Sequence, residues 1–440
     1  MAKIRILPLI ILDTSKYLLR ALATSNQGIA FKVQEIQVMR ISSFCVIMSS
    51  FLITMPVLSA AQPPAQYSTQ PASIKTTVMP IRLIAQTPVL SASLNHQKSA
   101  EFFFDSGAVN SVTPETARQL GLRVEWGFSG VGMGNSSFQV GQTQISSIQI
   151  GGMTLRNQTF AVVALPYAAT HASQPGIGGT LGYELLKTLA VEINYYRKTL
   201  TLTDSGSFRY TGHGVAVPFF FRGTQPVVEG TIDGIPGTFQ IDTGSNASLS
   251  LFAPFVERNE LTQRLAARLH GFAGEGLGGS ETAYFVRSQT LSIGGIQVHH
   301  LVTELLEDTK GVGAEGEDAG NVGTGTLKQF NVTFDYHHHT LYFDKNANFG
   351  KPDVFNRSGL AIQIKAEGVV VASVLEDSPA EEAGISAGDT ITAIDGWMGD
   401  QTTAERLLDI LWQQPGTAVR LSISHLGVRR DVRIKLRDIL

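Results

Sequence analysis

The middle of this chain is written twice, and that repeat restricts its possible folds more than any other feature. Gly179-Thr180-Leu181-Gly182 recurs 141 residues later as Gly320-Asn321-Val322-Gly323. At the same offset Leu186-Lys187 matches Leu327-Lys328, and Thr199-Leu200 matches Thr340-Leu341. Val191, Ile193 and Tyr195 likewise match Val332, Phe334 and Tyr336. Upstream, Ile150-Gly151-Gly152 recurs as Ile293-Gly294-Gly295, and the run from Phe102 to Val112 recurs as Phe239 to Leu249. The order is kept, with indels of a few residues. Two homologous modules are therefore expected, at 80–213 and 214–348.

Each module reads as β-rich. Apolar and polar residues alternate from Gln144 to Ile150 and from Thr199 to Thr203, the period of a half-buried strand. The Gly-Gly pairs after Ile150 and Ile293 suit hairpin turns. Glycine makes up 44 of 440 residues, above the usual roughly 7% and without collagen periodicity. Helices are expected to be few: one over Pro114 to Leu120, capped by Thr113 with Pro at its first position, and a longer one from Pro254 to His270.

The chemistry lies in Asp105-Ser106-Gly107 and its twin Asp242-Thr243-Gly244, each preceded by an apolar run. Two carboxylates brought together across a pseudo-two-fold axis cannot both ionise cheaply at about 3 Å. They share a proton, so one can take a proton from water while the other polarises a carbonyl. Ser106 and Thr243 supply hydroxyls, and Gly107 and Gly244 allow close backbone approach. A third such tripeptide, Asp204-Ser205-Gly206, aligns with Lys345 instead of an aspartate and reads as a turn between modules.

On these motifs both modules resemble lobes of retropepsin-type aspartic proteases over roughly residues 78–348. The resemblance implies two β-barrel lobes, a water nucleophile and no cofactor or metal. It implies that Asp105 and Asp242 are the catalytic pair, and that Gly182 and Gly323 brace the catalytic loops. In that family a flexible hairpin flap covers the substrate. Two Gly-rich stretches, Gly127 to Gly141 and Gly271 to Gly279, lie where such flaps would be; neither carries the Tyr of the pepsin-like flap. Met133, Gly134, Leu277 and Gly278, with Phe128 and Phe272, are the substrate-contact candidates. Both halves lie in one chain, so a monomer acting on protein or peptide substrates is expected. A catalytically silent peptide-binding protein of the same fold is the alternative.

The flanks add two further expectations. Residues 41–58 are uncharged and apolar, follow Met39-Arg40 and precede Ser59-Ala60-Ala61. That layout suits a secretory signal cleaved near Ala61, or an uncleaved anchor. Translation is expected to start at Met39. Residues 1–61 hold six of the 34 Lys/Arg and two of the 37 Asp/Glu, so their removal shifts the net charge from −3 to −7. Cys45, the one cysteine, leaves with them. A cysteine-free acidic chain fits a periplasmic or extracellular compartment and argues against nucleic-acid binding. Residues 62–79 read as a tether. His337-His338-His339 falls where the repeat places a hairpin turn, and adjacent strand residues face opposite ways, so no metal site is expected there or at His299-His300.

After a linker at 349–357, residues 358–440 change pattern. Ser378-Pro379-Ala380-Glu381-Glu382-Ala383-Gly384, then Gly388-Asp389 and Asp395-Gly396, resemble bacterial PDZ domains. That resemblance implies a partly open barrel with two helices, one of them over Thr403 to Gln413. It also implies that a peptide adds as a strand, with its C-terminal carboxylate held by backbone amides. Gly359, Leu360, Ala361 and Ile362 are the residues carried over to that role.

Overall fold

A computed structural model describes residues 76–166, 176–314, 316–366, 368–398 and 409–440. The expected targeting segment, Met39, Cys45 and most of the expected tether lie outside these residues. Among the described residues no helix is long and apolar enough to cross a membrane.

The protein is mainly β, with two protease-like lobes and a C-terminal PDZ domain. The first lobe is an eight-stranded sheet. Its order is Arg82–Ile84, Thr87–Leu94, Ala100–Phe104, Ile177–Leu181, Ser111–Val112, Met153–Val162, Ser137–Ile150 and Glu125–Val131. The second lobe repeats that order strand for strand: Phe220–Arg222, Gln225–Ile232, Ile235–Ile241, Gly320–Val322, Leu249–Leu251, Ile296–Leu306, Gly279–Ile293 and Leu269–Gly276. In each, the second strand also pairs with the seventh, which curls the sheet onto itself. Phe102, Phe104 and Phe160 fill one interior and Phe239, Leu249 and Leu305 the other. Each such side chain contributes roughly 1.5–3 kcal/mol of apolar burial.

A six-stranded sheet joins the lobes, in the order Thr76–Pro80, Thr199–Asp204, Leu189–Asn194, Phe330–Asp335, Thr340–Lys345, Val215–Pro218. At its centre Val191 pairs with Phe334 and Ile193 with Val332. The repeat equates Val191 with Val332 and Ile193 with Phe334, so the register exchanges equivalent positions. The pseudo-two-fold axis therefore passes between these two strands.

Two expectations change. Residues 76–79, assigned to the tether, form with Pro80 a strand paired with Thr199–Thr203; Val78 is exposed there while Met79 is buried, an edge-strand pattern. The helix expected over Pro254 to His270 is two short ones, Ala253–Arg258 and Leu261–Arg264. Glu260 takes a left-handed conformation between them (φ 53°) and Ala266 does so after them (φ 47°). Leu269 to Gly276 is then a strand of the second lobe. The helix Pro114–Gln119 forms as expected, with the Thr113 hydroxyl accepting from the Thr116 amide. Asp204 ends a strand and its carbonyl accepts from Ser207 and Phe208 in a turn. His337 to His339 occupy a turn between strands, where His338 Nδ1 contacts Asp335 Oδ2 at 2.7 Å.

The C-terminal sheet runs Leu360–Lys365, Gly368–Val374, Thr390–Ile394, Ala418–His425, Val428–Lys435. Ser378 caps the helix Pro379–Glu382 through the Glu381 amide. Most of the helix expected over Thr403 to Gln413 lies outside the described residues.

Candidate active site

In each lobe a buried strand delivers its aspartate to the same place. Ala100–Phe104 and Ile235–Ile241 each pair in parallel with a short strand from the end of their own module. Asp105 N donates to Leu181 O at 3.0 Å and Asp242 N to Val322 O at 3.1 Å. Both aspartates thus leave the sheet at equivalent points and meet on the axis.

The loops interlock across that axis. Ser106 N donates to Thr243 Oγ1 (2.9 Å) and Thr243 N to Ser106 Oγ (3.0 Å). Each hydroxyl passes its own proton to a carbonyl of the opposite lobe, Ser106 Oγ to Ile241 O (2.8 Å) and Thr243 Oγ1 to Phe104 O (3.0 Å). Four buried groups are satisfied reciprocally, so neither loop can shift without leaving a partner unpaired. Gly107 N donates to Asp105 Oδ1 and Gly244 N to Asp242 Oδ1, both at 2.8 Å. A Cβ on Gly107 would lie closer than 3.0 Å to the Asp242 carboxyl, and one on Gly244 equally close to that of Asp105. Gly182 and Gly323 press on the same loops, against Asp105 O and Ala108 O and against Ala247 O.

The pair is not fully symmetric. Asn321 Nδ2 donates to Asp242 Oδ2 at 2.9 Å, whereas the equivalent residue of the first lobe is Thr180. Burial, the Asp242 charge and a hydrogen bond that protonated Asp105 donates to the Asp242 carboxylate hold Asp105 well above the usual carboxylate range. Asp105 therefore keeps a proton where an ordinary aspartate has lost it.

Both Gly-rich stretches are β-hairpins, and their tips pair with each other. Gly278 N donates to Met133 O and Ser136 N to Gly278 O, both at 2.8 Å. Asn135 Oδ1 accepts from Thr309 N (3.0 Å) and Lys310 N (2.9 Å), and Gly132 O from Val312 N (3.2 Å). Beneath the tips lies a cavity of about 570 Å³ containing both aspartates. Met133, Leu277 and Phe272 line it; Gly134, Gly278 and Phe128 do not. The two tip glycines serve the contact between flaps.

The same cavity reaches the PDZ domain, where Leu360, Ala361 and Ile362 line it and Gly359 does not. Gly359 has φ +79° and its carbonyl accepts from Leu375 N at 2.9 Å. The amides of the expected carboxylate loop already have partners. Asn356 Oδ1 accepts from Ser358 N (3.0 Å) and Gly359 N (3.3 Å), and Ser358 Oγ from Leu360 N (3.0 Å). Asn356 had no signal in the sequence beyond being an amide beside a motif, and Asn321 only that of an Asn where the repeat has Thr180.

The fold and the paired loops define a retropepsin-like, two-lobed protein. The aspartyl protease family model matches residues 90–185 and 228–324, and the PDZ domain model residues 345–436. The chain is thus a protein of two retropepsin-like aspartyl-protease regions followed by a PDZ domain. It is 36% identical over 85 residues to a carboxy-terminal-processing protease of Bartonella bacilliformis, covering 19% of this chain and 20% of that one. It is 30% identical over 77 residues to a probable CtpA-like serine protease of Staphylococcus haemolyticus, 18% of this chain and 16% of that one. The chain therefore spans a fifth or less of either relative. The crystal structure of an aspartic proteinase from Irpex lacteus aligns with 63% of this chain and 99% of its own, at 13% identity and a TM-score of 0.40.

Proposed function

We propose that the chain is an aspartic endopeptidase acting through water held between Asp105 and Asp242, exported to the periplasm or beyond. The observation that carries this reading is the interlocked pair itself, set beneath two hairpins whose tips pair. Asp242, which accepts from Gly244 N and Asn321 Nδ2, takes a proton from the water. Asp105 gives its proton to the scissile carbonyl, and the water oxygen attacks that carbon. Collapse of the tetrahedral adduct returns a proton to the amine and leaves two peptides. The hairpins exclude bulk water during these steps. The PDZ domain captures peptide or substrate and raises its concentration at the cleft.

The test is hydrolysis of a proteome-derived peptide library by wild type, Asp105→Asn and Asp242→Asn. Activity should fall at least about 10³-fold in either variant, and full cleavage by Asp242→Asn would end the shared-pair model. Because Asp105 is raised, the acid limb's proton persists above the ordinary carboxylate range; activity is then lost as pH rises through the raised Asp105 value.

A further inference from the structure

The duplication gives each cavity wall of one lobe a twin in the other. Ser250 pairs with Asn321 on one side and Glu304 on the other. Its counterpart in the first lobe's sheet, Ser111, pairs with Thr180, the match of Asn321, and with Ala161. Glu304 therefore stands where the first lobe has Ala161. Along the same ladder Phe285 pairs with Glu304 and Gln142 with Ala161, so four residues earlier on each strand Glu281 corresponds to Phe138. Glu281 therefore stands where the first lobe has Phe138. Two apolar positions of one lobe are carboxyls in the other, and both carboxyls line the cavity.

We propose that Glu281 and Glu304 form a pocket under the second hairpin that receives a cationic side chain, lysine or arginine, of the bound peptide. The word substrate for that peptide rests on the protease reading above; the pocket does not. Glu281 is 9% exposed, and no group among the described residues hydrogen-bonds its carboxyl. Asn321 Oδ1, also in the cavity wall, is buried without a partner. Leaving such groups unpaired costs several kcal/mol for a charge and about 1–3 for an amide oxygen. A lysine ammonium or arginine fork would satisfy both.

The surroundings match that occupant. Burial, then the charges of Asp308, Glu304 and Asp242, push Glu281 well above its ordinary range. Burial raises Glu304 to about 7 despite the hydrogen bond from Ser250 Oγ at 2.6 Å. Asp308, behind them, is raised to about 6 by burial. Six acids line the cavity (Asp105, Asp242, Glu275, Glu281, Glu304, Asp353) and one base, Lys328. Lys328 Nζ donates to Gln86 Oε1 at 2.5 Å and the charge it feels is Asp353; neither glutamate is among its partners. A like-charged cluster without a counter-ion favours an incoming cation over any neutral side chain.

The experiment measures binding and cleavage separately. Fluorescent, C-terminally amidated peptides carry lysine or its neutral isostere norleucine at each position in turn. Their affinity for the full-length Asp105→Asn protein is read by anisotropy. At one position lysine should bind about tenfold tighter than norleucine, consistent with a charge-assisted hydrogen bond of roughly 1.5–3 kcal/mol. That preference should vanish in Asp105→Asn carrying Glu281→Val and Glu304→Ala, which make both positions apolar, as they are in the first lobe. Glu281→Gln with Glu304→Gln keeps the volume should the first pair fail to fold. Equal affinities at every position, or a preference that survives the glutamine pair, overturn the pocket. Wild-type cleavage without lysine preference also overturns the pocket and leaves the protease reading standing. A lysine peptide that binds selectively but is never cut supports the pocket and removes the protease reading.

Discussion

At the scale of single residues, the site is defined by what two glycines lack. Each of Gly107 and Gly244 lies against the carboxyl of the opposite lobe, so the pair can close only because neither has a side chain. We expect Gly244→Ala to abolish peptide hydrolysis, by more than about 100-fold, because the new methyl displaces Asp105. The overpacking should also cost roughly 1–3 kcal/mol of stability, readable as a lower unfolding midpoint. Wild-type kcat in a well-folded Gly244→Ala protein would show that the carboxyls need not touch. The aspartates and glycines were legible in the sequence because chemistry and duplication both marked them. Asn321 was legible only as a break in the repeat, Asn for Thr180, since sequence does not show which atom faces Asp242.

Glu304 makes a second residue-scale prediction. Its carboxyl, raised from an ordinary 4.5 to about 7, binds a proton more tightly folded than unfolded. That contribution is complete below about pH 4.5 and is lost as pH climbs through about 7, by ~3 kcal/mol. Thermal unfolding of wild type should therefore lose more midpoint between those pH values than Glu304→Gln does. Parallel curves would show that Glu304 titrates normally.

At the scale of elements, the hairpins are the part the sequence described least. Their glycines marked two loops of flap type, but the contact between tips depends on both lobes and on a third segment, Thr309 to Val312. Asn135 connects them through two amides. Asn135→Ala should speed hydrogen exchange at Thr309 and Lys310 and raise KM several-fold, with a smaller change in unfolding midpoint. Unchanged exchange at those two amides would remove Asn135 from the closure. The helix expected from Pro254 to His270 failed for a related reason. Its apolar spacing suited a helix, yet the left-handed Glu260 breaks it and the pull of the long strand Gly279–Ile293 recruits Leu269 onward into the sheet.

The PDZ loop was legible as a motif and not as a state. Its amides from Ser358 to Leu360 are held by Asn356 and Ser358, so a peptide carboxylate would have to displace side-chain acceptors. Among the described residues Leu360–Lys365 pairs only with Gly368–Val374, so strand addition would use its other edge. We expect amidating a peptide's C-terminus to change its affinity for the PDZ groove less than about threefold, measured by anisotropy in the Asp105→Asn protein. Asn356→Ala should restore a preference for the free acid. A tenfold or greater preference in the unmodified loop would show that the carboxylate displaces Asn356 readily.

At the scale of the whole molecule, the duplication makes a symmetric centre and the PDZ domain makes it asymmetric. The first hairpin is held from outside by the second lobe's own Thr309 to Val312 segment. The second is held by the PDZ domain: Phe272 N donates to Ser373 Oγ at 2.9 Å, and Gln363 Nε2 to Ser280 Oγ at 3.2 Å. Gly271 lies against Ser373 and Leu375, where a Cβ would collide. Ser373 sits on the strand that pairs with Leu360–Lys365, the strand a PDZ ligand would join. A ligand there can act on the cleft only by favouring one arrangement of that contact over another. Removing the hydroxyl should uncouple the two. Ser373→Ala is expected to raise exchange at Phe272 and its neighbours on Leu269–Gly276 several-fold and to leave the amides of Glu125–Val131 at their wild-type rates. Adding a PDZ-binding peptide should slow exchange in the second hairpin of wild type and have little effect there in Ser373→Ala. If both hairpins change together, the flaps move as one unit and the PDZ contact is packing alone.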